Sequence, residues 1–208
     1  MDYSRFFFYG ADAEKITDTI FLLEKSWQGD PVENPCIDFT YRNLCELRND
    51  YPALDDNWRF LLLYFRGCCD KLVKMRRSFE NKLCKNAINE LLNHNNNIKN
   101  ALELLNTPFK KEYSDLRDEL DTLAEKLFRL IGIQLDVEHY YADSWERGAT
   151  LETIDNNVSD RAYLKNRLEY ALGLPEFEQN DFINRLLERN EADDDEIYYS
   201  VALHGLNT

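Results

Sequence analysis

The stretch WRFLLLYFRGCCDKLVKMRRSFENKLCKNAINELL, residues 58 to 92, decides the fold. Trp58, Leu61, Leu62, Phe65, Cys69, Leu72, Met75, Phe79, Leu83, Ala87, Ile88 and Leu91 recur at mixed three- and four-residue steps, which puts them on one face of a helix. Asp55 and Asp56 are read as its opening. Asparagine side chains compete for backbone hydrogen bonds, so His94-Asn95-Asn96-Asn97 breaks the run. Ile98, Leu102 and Leu105 then begin a return helix.

Working outward, Thr107-Pro108 looks like an N-cap followed by proline at the first helical position. The next stripe is Tyr113, Leu116, Leu120, Leu123, Leu127, Leu130 and Ile131, with Gly132 where a C-terminal cap falls. Upstream, Asp12 suits the N-cap of a helix carrying Ile16, Ile20, Leu23 and Trp27 and ending near Gly29. Phe39, Leu44 and Leu47 mark a second helix that stops before Tyr51-Pro52. Downstream, Ser159 or Asp160 can cap a helix with Leu164, Leu168 and Ala171 that ends at Gly173-Leu174-Pro175. A short helix with Phe182, Ile183, Leu186 and Leu187 follows. The expected fold is all-α, an antiparallel helical bundle on a long helical hairpin, with an ordered polar-aromatic loop near residues 134–160. Residues 1–190 are read as the bundle domain and 191–208 as an acidic linker or tail.

Composition agrees with helices. Of 208 residues, 44% are hydrophobic and 13% aromatic, enough for a core, while seven glycines and five prolines are few for a turn-rich β architecture. Twenty-five basic against 39 acidic residues give a net charge of -14, which argues against nucleic acid as a partner. The basic run Lys71, Lys74, Arg76, Arg77, Lys82 and Lys85 alternates with apolar positions and reads as a solvated helix face. Five cysteines without Cys-x-x-Cys spacing argue against zinc and disulfides and for small buried hydrophobes. No apolar run reaches the length of a membrane span, and the N-terminus lacks signal-peptide features. A cytoplasmic protein is therefore expected, unless the chain is a piece of a longer secreted one. No cofactor is implied.

Chemistry-bearing residues crowd between 134 and 163. Glu138, Asp143 and Glu146 could act as paired general acid and base, beside Tyr140, Tyr141 and Trp145 as stacking surfaces for a sugar ring. The same residues could cap a bundle, with the acids in water. His139 stands without His-x-x-x-His or His-Glu-x-x-His spacing, which excludes a metalloprotease motif. Asp155, Asn157, Ser159 and Asp160 place oxygens at alternate positions but lack the glycine and terminal glutamate of an EF-hand. Arg147, next to Gly148, could bind a ligand's carboxylate or phosphate, or brace the loop through Asp155 or Asp160. Tyr141, Trp145 and Arg147 are thus the candidate ligand-binding residues.

The order Ile131-Gly132-Ile133-Gln134-Leu135, then Arg147-Gly148-Ala149-Thr150-Leu151 with Ile154-Asp155, then Asp160-Arg161 and Leu164 resembles a helical region of large uncharacterised bacterial proteins, some associated with carbohydrate metabolism. That resemblance implies a domain of a longer polypeptide with any catalysis sited elsewhere. The leading expectation is a non-catalytic accessory or interaction domain that packs on a neighbouring domain or protein partner. A carbohydrate-active hydrolase or sugar-binding module is the alternative.

Overall fold

The structure is a computed structural model and describes residues 2–8, 10–93, 97–133, 135 and 160–188. Every regular element among them is helical, so the all-α class expected from the sequence holds. The helices are α1 (Asp2–Phe7), α2 (Ala13–Lys25), α3 (Pro35–Asp50), α4 (Trp58–Asn93), α5 (Ile98–Leu105), α6 (Lys111–Ile131), α7 (Arg161–Leu172) and α8 (Glu176–Glu188). A short 3₁₀ turn, Pro52–Asp56, joins α3 to α4. The described residues fall into two compact units. The first takes them from Met1–Arg77 and Lys110–Arg147, the second from Ser78–Phe109 and Gly148–Thr208.

Capping residues set most of the helix starts. Asp12 accepts from the backbone N–H of Glu14 and Lys15 at the head of α2, as its side chain predicts. Asn34 does the same for Cys36 at the head of α3, where Pro35 takes the first turn without losing a bond. Asp55 and Asp56 do not open α4: they lie in the 3₁₀ turn, and Asn57 accepts from Arg59 and Phe60 instead. Thr107-Pro108 is a second correction. α6 starts at Lys111, and Lys110 occupies the capping position without a side-chain bond. At its far end Gly132 takes the left-handed conformation (φ +69°) that closes the helix, as expected.

In the first unit, α2 packs on α3 and α1 on α2. Ile16, Ile37, Leu44 and Leu47 are buried there, as are Phe60, Leu61, Phe65 and Leu72 from α4 and Tyr113, Leu116, Leu120, Leu123 and Leu127 from α6. The buried face of α4 is wider than the sequence stripe, because Tyr64 and Cys68 are also inside. Two neighbours account for this width. Gly67 lies so close to α3 that an added Cβ would stand 2.5 Å from Leu44 Cδ1, while the Tyr64 hydroxyl donates to Glu119 on α6 at 2.9 Å. Each fully buried leucine or phenylalanine here contributes roughly 1.5–3 kcal/mol through removal from water. Some expected stripe members lie outside: Trp27, Phe39, Leu130 and Ile131 are exposed. Trp27 follows the end of α2, where Ser26 is the buried residue, and Ile37 and Thr40 take the inner face of α3.

The second unit has its own core. Leu83, Cys84, Ala87 and Leu91 of α4 meet Ile98, Ala101, Leu102 and Leu105 of α5, Leu164, Leu168 and Ala171 of α7, and Ile183 and Leu186 of α8. Asp160 caps α7 by accepting from Tyr163 N–H at 2.7 Å. Arg161 then reaches back to α5, donating to the carbonyls of Leu105 at 2.7 Å and Thr107 at 3.0 Å. These are carbonyls at and beyond a helix C-terminus, where a cation is favoured.

Candidate functional site

The residues singled out from the sequence as a possible site, Glu138, His139, Tyr140, Tyr141, Asp143, Trp145, Glu146 and Arg147, lie outside the described residues, as do Asp155, Asn157 and Ser159. Asp160 is described, and its side chain serves as a helix cap. Two constellations that sequence spacing did not signal stand in the first unit.

One is a polar network between α3, α4 and α6. Arg48 donates through Nε to Asp55 at 2.6 Å and through Nη1 to Glu119 at 2.7 Å, with its guanidinium 4.8 Å from the Tyr64 ring centre. Tyr64 donates to the same Glu119 oxygen, and Cys45 Sγ lies 3.7 Å from the Tyr64 hydroxyl. Burial, followed by the nearby Cys68, Cys45 and Glu119, pushes the Tyr64 phenol well above its ordinary value. Tyr41 moves the same way, from burial and then Cys45. Burial likewise raises the Cys68 thiol, and it pushes Cys69 and Cys84 up to about 12. A nucleophilic cysteine needs its thiolate, so these three thiols are held in the unreactive form. Burial opposes the charge on Arg48, but its hydrogen bonds to Asp55 and Tyr64 outweigh it and raise the guanidinium further. The arrangement fixes charges and phenols in place. Its chemistry is that of a brace, with Arg48 carrying two carboxylates.

The second constellation faces outward. Trp27 is 67% exposed, yet the Arg66 guanidinium lies 4.1 Å from its ring centre. Arg66 is tied in turn to Asp70, one turn along α4, with Nη2 2.8 Å from Oδ1. Charge and quadrupole attract in such a stack, worth about 0.5–1 kcal/mol at an exposed position. Exposed Glu24, Asp30 and Glu33 flank Trp27 in the chain, and a shallow depression lined by Lys25, Gln28, Asp30 and Glu33 opens beside it. Close by, Asp38 of α3 receives Lys71 at 2.6 Å and Lys74 at 2.7 Å from α4, and Lys74 also donates to the carbonyl of Asn34. The first two lysines of the basic run therefore clamp α3 to α4 instead of simply facing water. Burial raises the Asp38 carboxyl, but its bonds to the two lysines win and hold it below its ordinary value.

No group of three or more metal-ligating side chains stands together among the described residues, and no helix there is long and apolar enough to cross a membrane. No protein-family model, curated protein or solved structure matches the chain.

Proposed function

We propose that the chain is a non-catalytic helical interaction domain, part of a larger protein or assembly, which docks a basic protein surface onto Trp27. The antiparallel bundle on a long hairpin belongs to the same reading. The observation that carries it is the Trp27–Arg66–Asp70 stack. An exposed tryptophan is normally free to sample several rotamers, and ordering it costs free energy on binding. Here the ring rests on a guanidinium that is itself tied to the protein, so part of that cost is already met. Tryptophan and arginine are also the residue types that dominate binding energy at protein interfaces. The acids around Trp27 and the net charge of -14 set the chemistry of the partner, since opposite charge both steers the encounter and fixes its register.

A photo-crosslinking residue at exposed Gln28, with Trp27 intact, tests this. A discrete adduct with a basic protein is expected. It should weaken at high salt, disappear with Trp27→Ala, and be absent when the crosslinker stands at exposed Asp118 on α6. Adducts that survive Trp27→Ala, or none at all, overturn the docking role. The sugar-hydrolase alternative rests on Glu138, Asp143 and Glu146 in the sequence alone.

A further inference from the structure

We propose that the Trp27 dock carries its own acid-operated release: protonation of Asp70 unties Arg66, the guanidinium leaves the indole, and Trp27 loses its fixed position. This rests on the docking role of Trp27 argued above.

The geometry of the pair supplies the argument. Asp70 is only 9% exposed, and a carboxylate in such a place needs both oxygens satisfied. Only Oδ1 is, through Arg66 Nη2. Oδ2 and Arg66 Nε are both buried and make no hydrogen bond. The pair therefore lacks the second bond of a guanidinium–carboxylate fork, and with it much of what would hold the charge on a buried acid. Burial pushes Asp70 up to about 6, against the pull of Arg66. Arg66 keeps 32% of its side chain in solvent, so once its counter-charge is gone it has water to turn into.

The surroundings offer no substitute partner among the described residues. Arg66 is the one charged group that shifts Asp70, and Cys69 beside it is held as the neutral thiol. Lys71 and Lys74 on the same helix are taken by Asp38 of α3. From the segment after α2, what meets the pair is the Trp27 ring.

The readout is the accessibility of Trp27 to acrylamide in a Trp58→Phe, Trp145→Phe background, which leaves it the only tryptophan. Across about pH 4.5–7.5, a range that begins just above ordinary carboxylate values and takes in that of Asp70, quenching should rise as the pH falls, by up to about half for a ring that is already 67% exposed. The midpoint should lie near that of Asp70. Asp70→Asn should show the parent's low-pH level of quenching at every pH and no titration. A transition that survives Asp70→Asn comes from another group and overturns the proposal. Should Asp70→Asn fail to fold, Arg66→Gln serves the same purpose: Trp27 should be open throughout, and a retained transition again refutes the switch. A flat response in the parent protein does so directly. The two readings separate cleanly, because quenching needs no partner. A normal titration with no salt-sensitive adduct at Gln28 removes the dock and keeps the switch; an adduct whose yield ignores pH, with flat quenching, does the reverse.

Discussion

Gly67→Ala sets two opposing effects against each other at one position. Gly67 is an interior residue of α4, so alanine should stabilise the helix by about 1 kcal/mol through backbone entropy and propensity. Against this, the new methyl would stand 2.5 Å from Leu44 Cδ1, where carbon atoms prefer roughly 3.5–4.0 Å. Leu44 is 1% exposed and cannot simply swing into solvent. Forcing an extra methyl into such a site costs about 1–3 kcal/mol. The clash should win, leaving Gly67→Ala about 1 kcal/mol less stable than the parent on those two figures. The sign should reverse in a Leu44→Ala background, where the methyl has room and the helical preference is all that remains. The coupling between the two positions should then be about 2 kcal/mol, within the range found for residues in contact. Urea unfolding followed by Trp58 fluorescence, with Trp27 and Trp145 replaced by phenylalanine, reports the unit that carries the change, a safeguard where the described residues form two compact units. If Gly67→Ala stabilises equally in both backgrounds, α3 and α4 do not approach as closely as described.

Core and caps give further expectations. Leu120→Ala, at a fully buried position of α6, should cost about 2–5 kcal/mol, and Leu130→Ala, exposed on the same helix, less than about 0.5 kcal/mol. Equal shifts in their thermal midpoints would contradict this placement. Asp12→Ala should cost about 1 kcal/mol by leaving the first amides of α2 unpaired, whereas Thr107→Ala, which caps no helix, should stay within about 0.5 kcal/mol by chemical denaturation. Asp38 is held below its ordinary value of 3.8, so its contribution is present above that value and lost as the pH falls through the lower folded one. The stability difference between the parent and Asp38→Asn should therefore shrink in acid and in high salt; a difference that grows in acid has the wrong sign. Asp70 runs the other way. Its raised value makes its contribution greatest below the ordinary 3.8 and removes it as the pH rises through about 6.

The helices were legible where side chains repeat on one face, because that period is local and is imposed by backbone geometry. Tyr113, Leu116, Leu120, Leu123 and Leu127 are all inside α6 at the expected spacing. What misled was chemistry that two structures share. Asp55 and Asp56 suit a 3₁₀ turn as well as a helix start, and Thr107-Pro108 suits an extended approach as well as a cap. The described constellations were invisible for a different reason. Arg48 and Glu119 are separated by 71 residues and meet only because α3 and α6 close on the same helix, and no spacing rule reaches that far. Trp27 is subtler: its helical interval from Leu23 was correct, but α2 had already ended at Lys25.

The clasp that Arg161 makes on the end of α5 has a consequence in time. Leu83, Leu91 and Leu105 leave the ribosome well before Leu164, Leu168 and Ile183, the residues that complete their core. At about 5–20 residues per second, the 59 residues from Asn106 to Leu164 take roughly 3–12 s to synthesise. For that interval the apolar faces of α5 and the end of α4 have only each other, and Arg161, which ties the start of α7 to the end of α5, arrives just ahead of the leucines that complete their cover. Aggregation during synthesis, more than equilibrium stability, is where loss of that arginine should first be felt.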